Sequence, residues 1–196
     1  MSLIATMPKS DLVMEKEGAV EFFRPSGGPS GRKGPAKKSG AGFYNGAMEQ
    51  NRSAAVLFLK LYSERFSRGK SPRVLDAMGN GDDGVLGGGE IVFNDINPDA
   101  VKIIRKNLRA VKRRRGLGGL DLKTRNRDVN DLLGTEGGFD YIDLDPYGTP
   151  APYLQNCARS LRRGGVLAVT ATDTAALFGT YPRVCRRRYM AQVHRS

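Results

Sequence analysis

The chain has 196 residues, room for one domain of ordinary size or one domain with a tail. Lys and Arg number 32 against 20 Asp and Glu, a net charge of +12, and no apolar run approaches the roughly 18 residues of a membrane-spanning helix. Two cysteines, Cys157 and Cys185, make neither a disulfide framework nor a four-cysteine zinc site, and a lone His194 argues against histidine-dependent chemistry or a metal centre.

Residues 1–23 mix charges with short apolar pairs, and no apolar stretch precedes a small-residue cleavage site. No signal peptide is expected, and with it an intracellular protein. Residues 24–42, RPSGGPSGRKGPAKKSGAG, bury too little apolar surface to offset their ordering entropy and predict a flexible basic loop. That divides the chain into an N-terminal segment, 1–42, and one domain, 43–196.

Apolar residues spaced at helical intervals predict a helix from Ala47 to Phe66. Arg73–Ala77 follows Pro72 as a short buried strand containing Asp76. Six glycines in GNGDDGVLGGG, 79–89, speak against a helix there. Glu90–Asp95 is a second strand. Asn97, Pro98 and Asp99 form a helix start: cap, first-turn proline and an acid favourable to the dipole. Val101, Ile104, Leu108 and Val111 share one face of that helix, and the other face is basic. Leu120–Thr124 is a third strand with Asn126–Asp128 at its end, and Phe139–Asp145 a fourth. A helix from Pro150 to Arg162 is expected to stop at Gly164 and Gly165. Val166–Thr172 is a fifth strand. Strands alternating with helices predict an α/β fold with a parallel sheet covered on both faces.

The chemistry gathers at strand ends. The first strand ends in Asp76 and a loop containing Gly79, where a ligand can approach the backbone closely. Asp95 follows Asp76 by 19 residues, the spacing of an acid that holds a ribose diol. The fourth strand ends in Asp143-Leu144-Asp145-Pro146-Tyr147. A carboxylate can accept hydrogen bonds from an exocyclic amine there, and a stiffly held tyrosine can stack on a planar base. Clusters of basic residues with no acid among them predict phosphate contacts: Lys112, Arg113, Arg114 and Arg115 close one, and Arg186, Arg187 and Arg188 form another.

Residues 143–189, beginning DLDPYGTPAPYLQNCARSLRRGG, closely resemble the tRNA (guanine-N2)-dimethyltransferases. FYNGAMEQNR at 43–52, VLDAM at 74–78 and FNDINPDAVKIIRKN at 93–107 look like shorter blocks of the same family. The resemblance implies a Rossmann-like class I methyltransferase, mostly parallel sheet with helices on both faces. It also implies S-adenosyl-L-methionine as methyl donor and the N2 amine of guanine 26 in tRNA as acceptor. By position, Arg52 matches an arginine at the methionine end of the donor, Asp95 the acid on its ribose, and Asp128 with Val129 the pair flanking its adenine. Asp145 matches the catalytic acid and Tyr147 the aromatic against the target guanine. The family continues into a C-terminal domain beyond the match, so the chain is expected to be the catalytic portion. The glycine-rich 79–89 stretch keeps a second expectation open: a tRNA- or RNA-binding module of the same fold with impaired cofactor binding.

Overall fold

The computed structural model describes residues 12–18, 20–26, 48–65, 71–76, 88–115 and 119–192. Its central sheet has the strand order β5-β4-β3-β6-β7, with every pairing parallel. The strands are β3 (Arg73–Asp76), β4 (Gly89–Asn94), β5 (Leu120–Arg125), β6 (Phe139–Leu144) and β7 (Leu161–Val169). Short apolar runs suit strands buried on both sides, and the period of two sorts them between two cores. Val74, Ile91, Phe93 and Tyr141 face one way, packed with Leu59 of α1 (Glu49–Arg65) and Ile104 of α2 (Pro98–Arg115). Leu75, Val92, Ile142 and Leu144 face the other. There they meet Leu132 of α3 (Val129–Leu133) and Cys157 of α4 (Ala151–Ser160). The chain ends with α5 (Thr174–Leu177) and α6 (Pro182–Tyr189).

From β3 the chain steps outward to β4 and β5, then returns to place β6 on the other flank of β3. The order reverses between β3 and β6, and ligands of open α/β sheets bind beyond the carboxyl ends at such a reversal. Asp76 and Asp143 are in register across it.

The expected elements are present, with shifted ends. The helix predicted to Arg162 stops at Ser160, because Leu161 is already extended at φ −75° and ψ 146° and packs on the core. Gly164 and Gly165 kink β7 instead of ending a helix: pairing jumps from Phe139–Leu161 to Tyr141–Val166 there. β7 ends at Val169, short of Thr172. Gly89 opens β4 at φ +129°, where an added Cβ would lie 2.4 Å from the Pro72 carbonyl oxygen. That carbonyl accepts the Glu90 N–H at 3.0 Å, so the residue before it has no room for a side chain. The absence of a helix predicted for 79–89 falls, over 79–87, outside the described residues, as does Gly79.

One element is new. β1 (Leu12–Glu17) and β2 (Val20–Pro25) form an antiparallel hairpin within the N-terminal segment. It docks on α2 through the Asn107 amide, which accepts from Phe23 N–H at 2.8 Å and donates to the Phe23 carbonyl at 3.0 Å. The Lys106 ammonium lies 3.7 Å from the Phe23 ring centroid. The flexible loop expected over 24–42 therefore gives way at Arg24 and Pro25, which belong to β2; its stretch 27–42 lies outside the described residues.

Candidate active site

Period two also builds the site. On β3, Asp76 follows Val74 on the face toward α1; on β6, Asp143 and Asp145 follow Tyr141 on the same face. The strand ends thus deliver three carboxylates into one cleft of about 400 Å³, roofed by α1 through Asn51, Arg52 and Ala55. Phe58 of α1 adds an apolar lining, with its ring centroid 6.0 Å from that of Tyr141. Of the expected site residues, Arg52, Asp76 and Asp145 line this one cleft.

Its electrostatics are those of acids held against their solvation. Burial, then the neighbouring charge of Asp145, pushes the Asp143 carboxyl up to about 6. Burial also raises Asp145, and the Arg52 guanidinium opposes that rise. A cationic ligand group entering here relieves the crowding of negative charge. A ligand carboxylate finds Arg52.

The turn after β6 carries Tyr147. Gly148, at φ +88°, donates its N–H to Thr172 Oγ1 at 2.8 Å and accepts the Thr172 N–H at 3.1 Å. The Tyr147 hydroxyl is pushed up to about 12 by burial first, then by the charges of Asp95 and Asp145. The residue as a whole stays 55% exposed. Tyr147 therefore feels the charge of two acids singled out in the sequence, Asp95 and Asp145.

Asp95 follows β4 and accepts the Asn97 N–H at 2.7 Å; burial raises its carboxyl. Asn97 caps α2 as expected, accepting the Asp99 N–H at 2.9 Å. Asn94, 1% exposed, bonds both the carbonyl and the N–H of Arg127, which clamps the ends of β4 and β5 together. Asp128 caps α3, accepting from Asn130 N–H at 2.7 Å. Val129 is 3% exposed and packs the core, so only its backbone is available to a ligand.

The basic clusters divide. On α2, Lys112 and Arg113 are exposed, while Arg114 bonds Glu21 of the hairpin at 2.6 Å. The Arg115 side chain lies outside the described residues. At 1.5 Å per residue, Arg113 sits roughly 20 Å along the helix from its start at Pro98. On α6, Arg186 and Arg187 are exposed, but Arg188 donates to Asp173 Oδ2 at 3.1 Å. Arg114 and Arg188 are thus partly engaged within the protein. Asp173 makes no helix-capping bond and instead accepts from Tyr189, whose hydroxyl also bonds the side chain of Thr149. Asp173 and Tyr189 tie α6 to the turn bearing Tyr147. Asp143 and the hairpin's Glu17, described below, complete the residues whose role the motifs alone did not assign.

The family described as N2,N2-dimethylguanosine tRNA methyltransferase matches residues 32–196. A tRNA (guanine(26)-N(2))-dimethyltransferase of Pyrobaculum arsenaticum is 40% identical over 189 residues, covering 93% of this chain and 49% of that protein. The tRNA (guanine(26)-N(2)/guanine(27)-N(2))-dimethyltransferase of Aquifex aeolicus is 38% identical over 164 residues, 76% of this chain and 39% of its own. Among solved structures, Trm1 from Pyrococcus horikoshii in complex with S-adenosyl-L-methionine superposes with a TM-score of 0.70 at 28% identity, over 94% of this chain and 49% of that one. Trm5 of Methanocaldococcus jannaschii, solved with adenosine, shares the fold at a TM-score of 0.55 and 13% identity, over 83% of this chain and 42% of that one. The chain spans about half the length of the curated relatives it matches.

Proposed function

The chain belongs to the N2,N2-dimethylguanosine tRNA methyltransferase family, and from that premise we propose that it methylates the exocyclic N2 amine of guanine 26 in tRNA, with S-adenosyl-L-methionine as donor. The observation that carries the proposal is the meeting of Arg52, Asp76, Asp143 and Asp145 in one cleft at the β3–β6 reversal. An RNA-binding module without donor chemistry has no use for carboxylates crowded there at a cost in solvation.

The residues fit the donor group by group. Arg52 suits its carboxylate. Asp76 and Asp143 suit its positive charge. Asp95 suits the ribose hydroxyls, and Asp128 with the Val129 backbone the adenine edge. Gly79, which follows Asp76 in the sequence, lies outside the described residues. When bound, S-adenosyl-L-methionine supplies an electrophilic methyl group on a sulfonium.

The chain's own work is orientation and proton transfer. A guanine amine is a poor nucleophile, because its lone pair is delocalised into the ring. Asp145 accepts a hydrogen bond from that amine and localises the pair for in-line attack. The nitrogen–methyl bond forms as the sulfur–methyl bond breaks, and the displaced amine proton passes to the Asp145 carboxylate. Burial raises the proton affinity of Asp145, and the Arg52 guanidinium opposes that rise. Tyr147 stacks on the base and holds its amine toward the cleft.

The test is transfer of labelled methyl from the donor to a tRNA carrying guanine at position 26, beside a tRNA carrying inosine there. Inosine differs only in lacking the N2 amine. Label in the first and none in the second is expected. Equal labelling of both would overturn the assignment.

A further inference from the structure

The hairpin β1–β2 lies outside the parallel sheet and takes no part in the chemistry above, yet it is anchored at two places. Its second strand is bolted to α2 by the reciprocal Phe23–Asn107 bonds and by the Glu21–Arg114 ion pair. Its turn end reaches α1. There Glu17, the last residue of β1, grips Arg52 with both carboxylate oxygens: Nε donates to Oε1 at 2.8 Å and Nη2 to Oε2 at 2.5 Å. The two side chains are only 19% and 10% exposed, so the contact is sheltered from solvent, unlike an ordinary surface pair.

The site this fork reaches is the cleft itself. Arg52 lines the cleft, and its charge acts on Asp145. An arginine in the first turns of a helix has several rotatable bonds. Left to itself it must be ordered each time a ligand carboxylate binds, and that ordering subtracts from affinity. A two-oxygen carboxylate fork fixes the plane of a guanidinium as well as its position. The hairpin's attachment to α2 makes the fork part of a rigid frame instead of a pair of mobile side chains.

We propose that Glu17 is a positioning residue for donor binding: the hairpin tip holds the Arg52 guanidinium in the orientation that receives the carboxylate of the methionine end. The proposal rests on the assignment of Arg52 to that carboxylate made above. It gives the N-terminal hairpin a function in the site, although none of its described residues lines the cleft.

The test is a double-mutant cycle read by calorimetric titration with S-adenosylhomocysteine, which carries the same carboxylate and needs no turnover. The chain, Glu17→Gln, Arg52→Ala and the double variant are compared, with thermal melting recorded for each. Glu17→Gln is expected to weaken binding about tenfold, on the scale at which loss of an orienting partner weakens a bound ligand. Arg52→Ala is expected to weaken it at least as much, and the double variant no further than Arg52→Ala alone. Glu17→Asp, which keeps the charge but withdraws it by one carbon, serves if the glutamine variant melts too early, and it should fall between the two. Weakening by Arg52→Ala with none by Glu17→Gln or Glu17→Asp would leave Glu17 a structural contact and overturn the proposal. Tighter binding in Glu17→Gln would show competition for Arg52 and overturn it too. Unchanged binding in Arg52→Ala would remove the premise itself, a different result from either.

Discussion

Asp143 carries a titration that can be read directly. Its carboxyl sits at about 6 in the folded protein against an ordinary 3.8, first through burial and then through Asp145. The folded state therefore holds this proton more tightly than the unfolded one. Its contribution to stability falls as pH rises from 3.8 to about 6, and above that a constant penalty of up to about 3 kcal/mol remains. Asp143→Asn should be stabilised relative to the parent at pH 7, with the difference vanishing as pH falls toward 3.8. Denaturant melts across that range check it, and a pH-independent difference would contradict it. The strand FDYIDLD made the shared face of Asp143 and Asp145 legible, because residues two apart in a strand point the same way. Burial decided the rest. Val129 turns its side chain into the core, and no local pattern distinguishes that from a side chain facing a ligand.

Elements were legible where periodicity was clean. The strand runs around Val74, Ile91 and Ile142 and the start of α2 at Asn97 fell where expected. The hairpin was not legible. Its half-buried positions in β1 include Val13, Glu15 and Glu17, so the strand turns carboxylates to the side that usually holds apolar residues. Those glutamates find arginines only in the folded chain, Glu15 with Arg24 and Glu17 with Arg52. The end of α4 was misplaced for a related reason: Gly164 and Gly165 read as a helix stop but serve a strand kink. At this scale the contact between α6 and the Tyr147 turn makes its own prediction. Asp173→Ala removes the acceptor shared by Tyr189 and Arg188, and should slow methyl transfer by about 10- to 100-fold through misplacement of the base-binding turn. Affinity for S-adenosylhomocysteine should change less than about threefold, since Asp173 does not line the cleft. Equal loss of both would place Asp173 with the general packing.

Across the whole molecule, a net charge of +12 and its clustering pointed to phosphate before any motif was considered. Which arginines face solvent unpaired was not legible, since Arg114 and Arg188 meet their acids only through tertiary contacts. The two exposed clusters also differ in place: Arg186 and Arg187 stand on the helix tied to the Tyr147 turn, whereas Lys112 and Arg113 lie toward the far end of α2. Binding of tRNA should weaken with salt, by a slope of about 0.7 to 0.9 per phosphate contact. Neutralising Arg186 and Arg187 should flatten that slope and slow transfer, and neutralising Lys112 and Arg113 should flatten it with a smaller effect on the rate. Filter-binding across a salt series, beside single-turnover rates, separates the two. A slope unaffected by either pair would assign these charges to solubility.

In the proposed mechanism Asp145 takes a proton from the base and does not merely hold the donor. Asp145→Asn keeps the shape of the side chain and one acceptor oxygen but not the proton acceptor. Single-turnover methyl transfer to tRNA should fall by about 10²–10⁴-fold, the scale of general base catalysis, while affinity for S-adenosylhomocysteine moves by less than about threefold. Loss of that affinity in Asp145→Asn, with no further effect on transfer once the donor is saturating, would make Asp145 a donor ligand and contradict the mechanism.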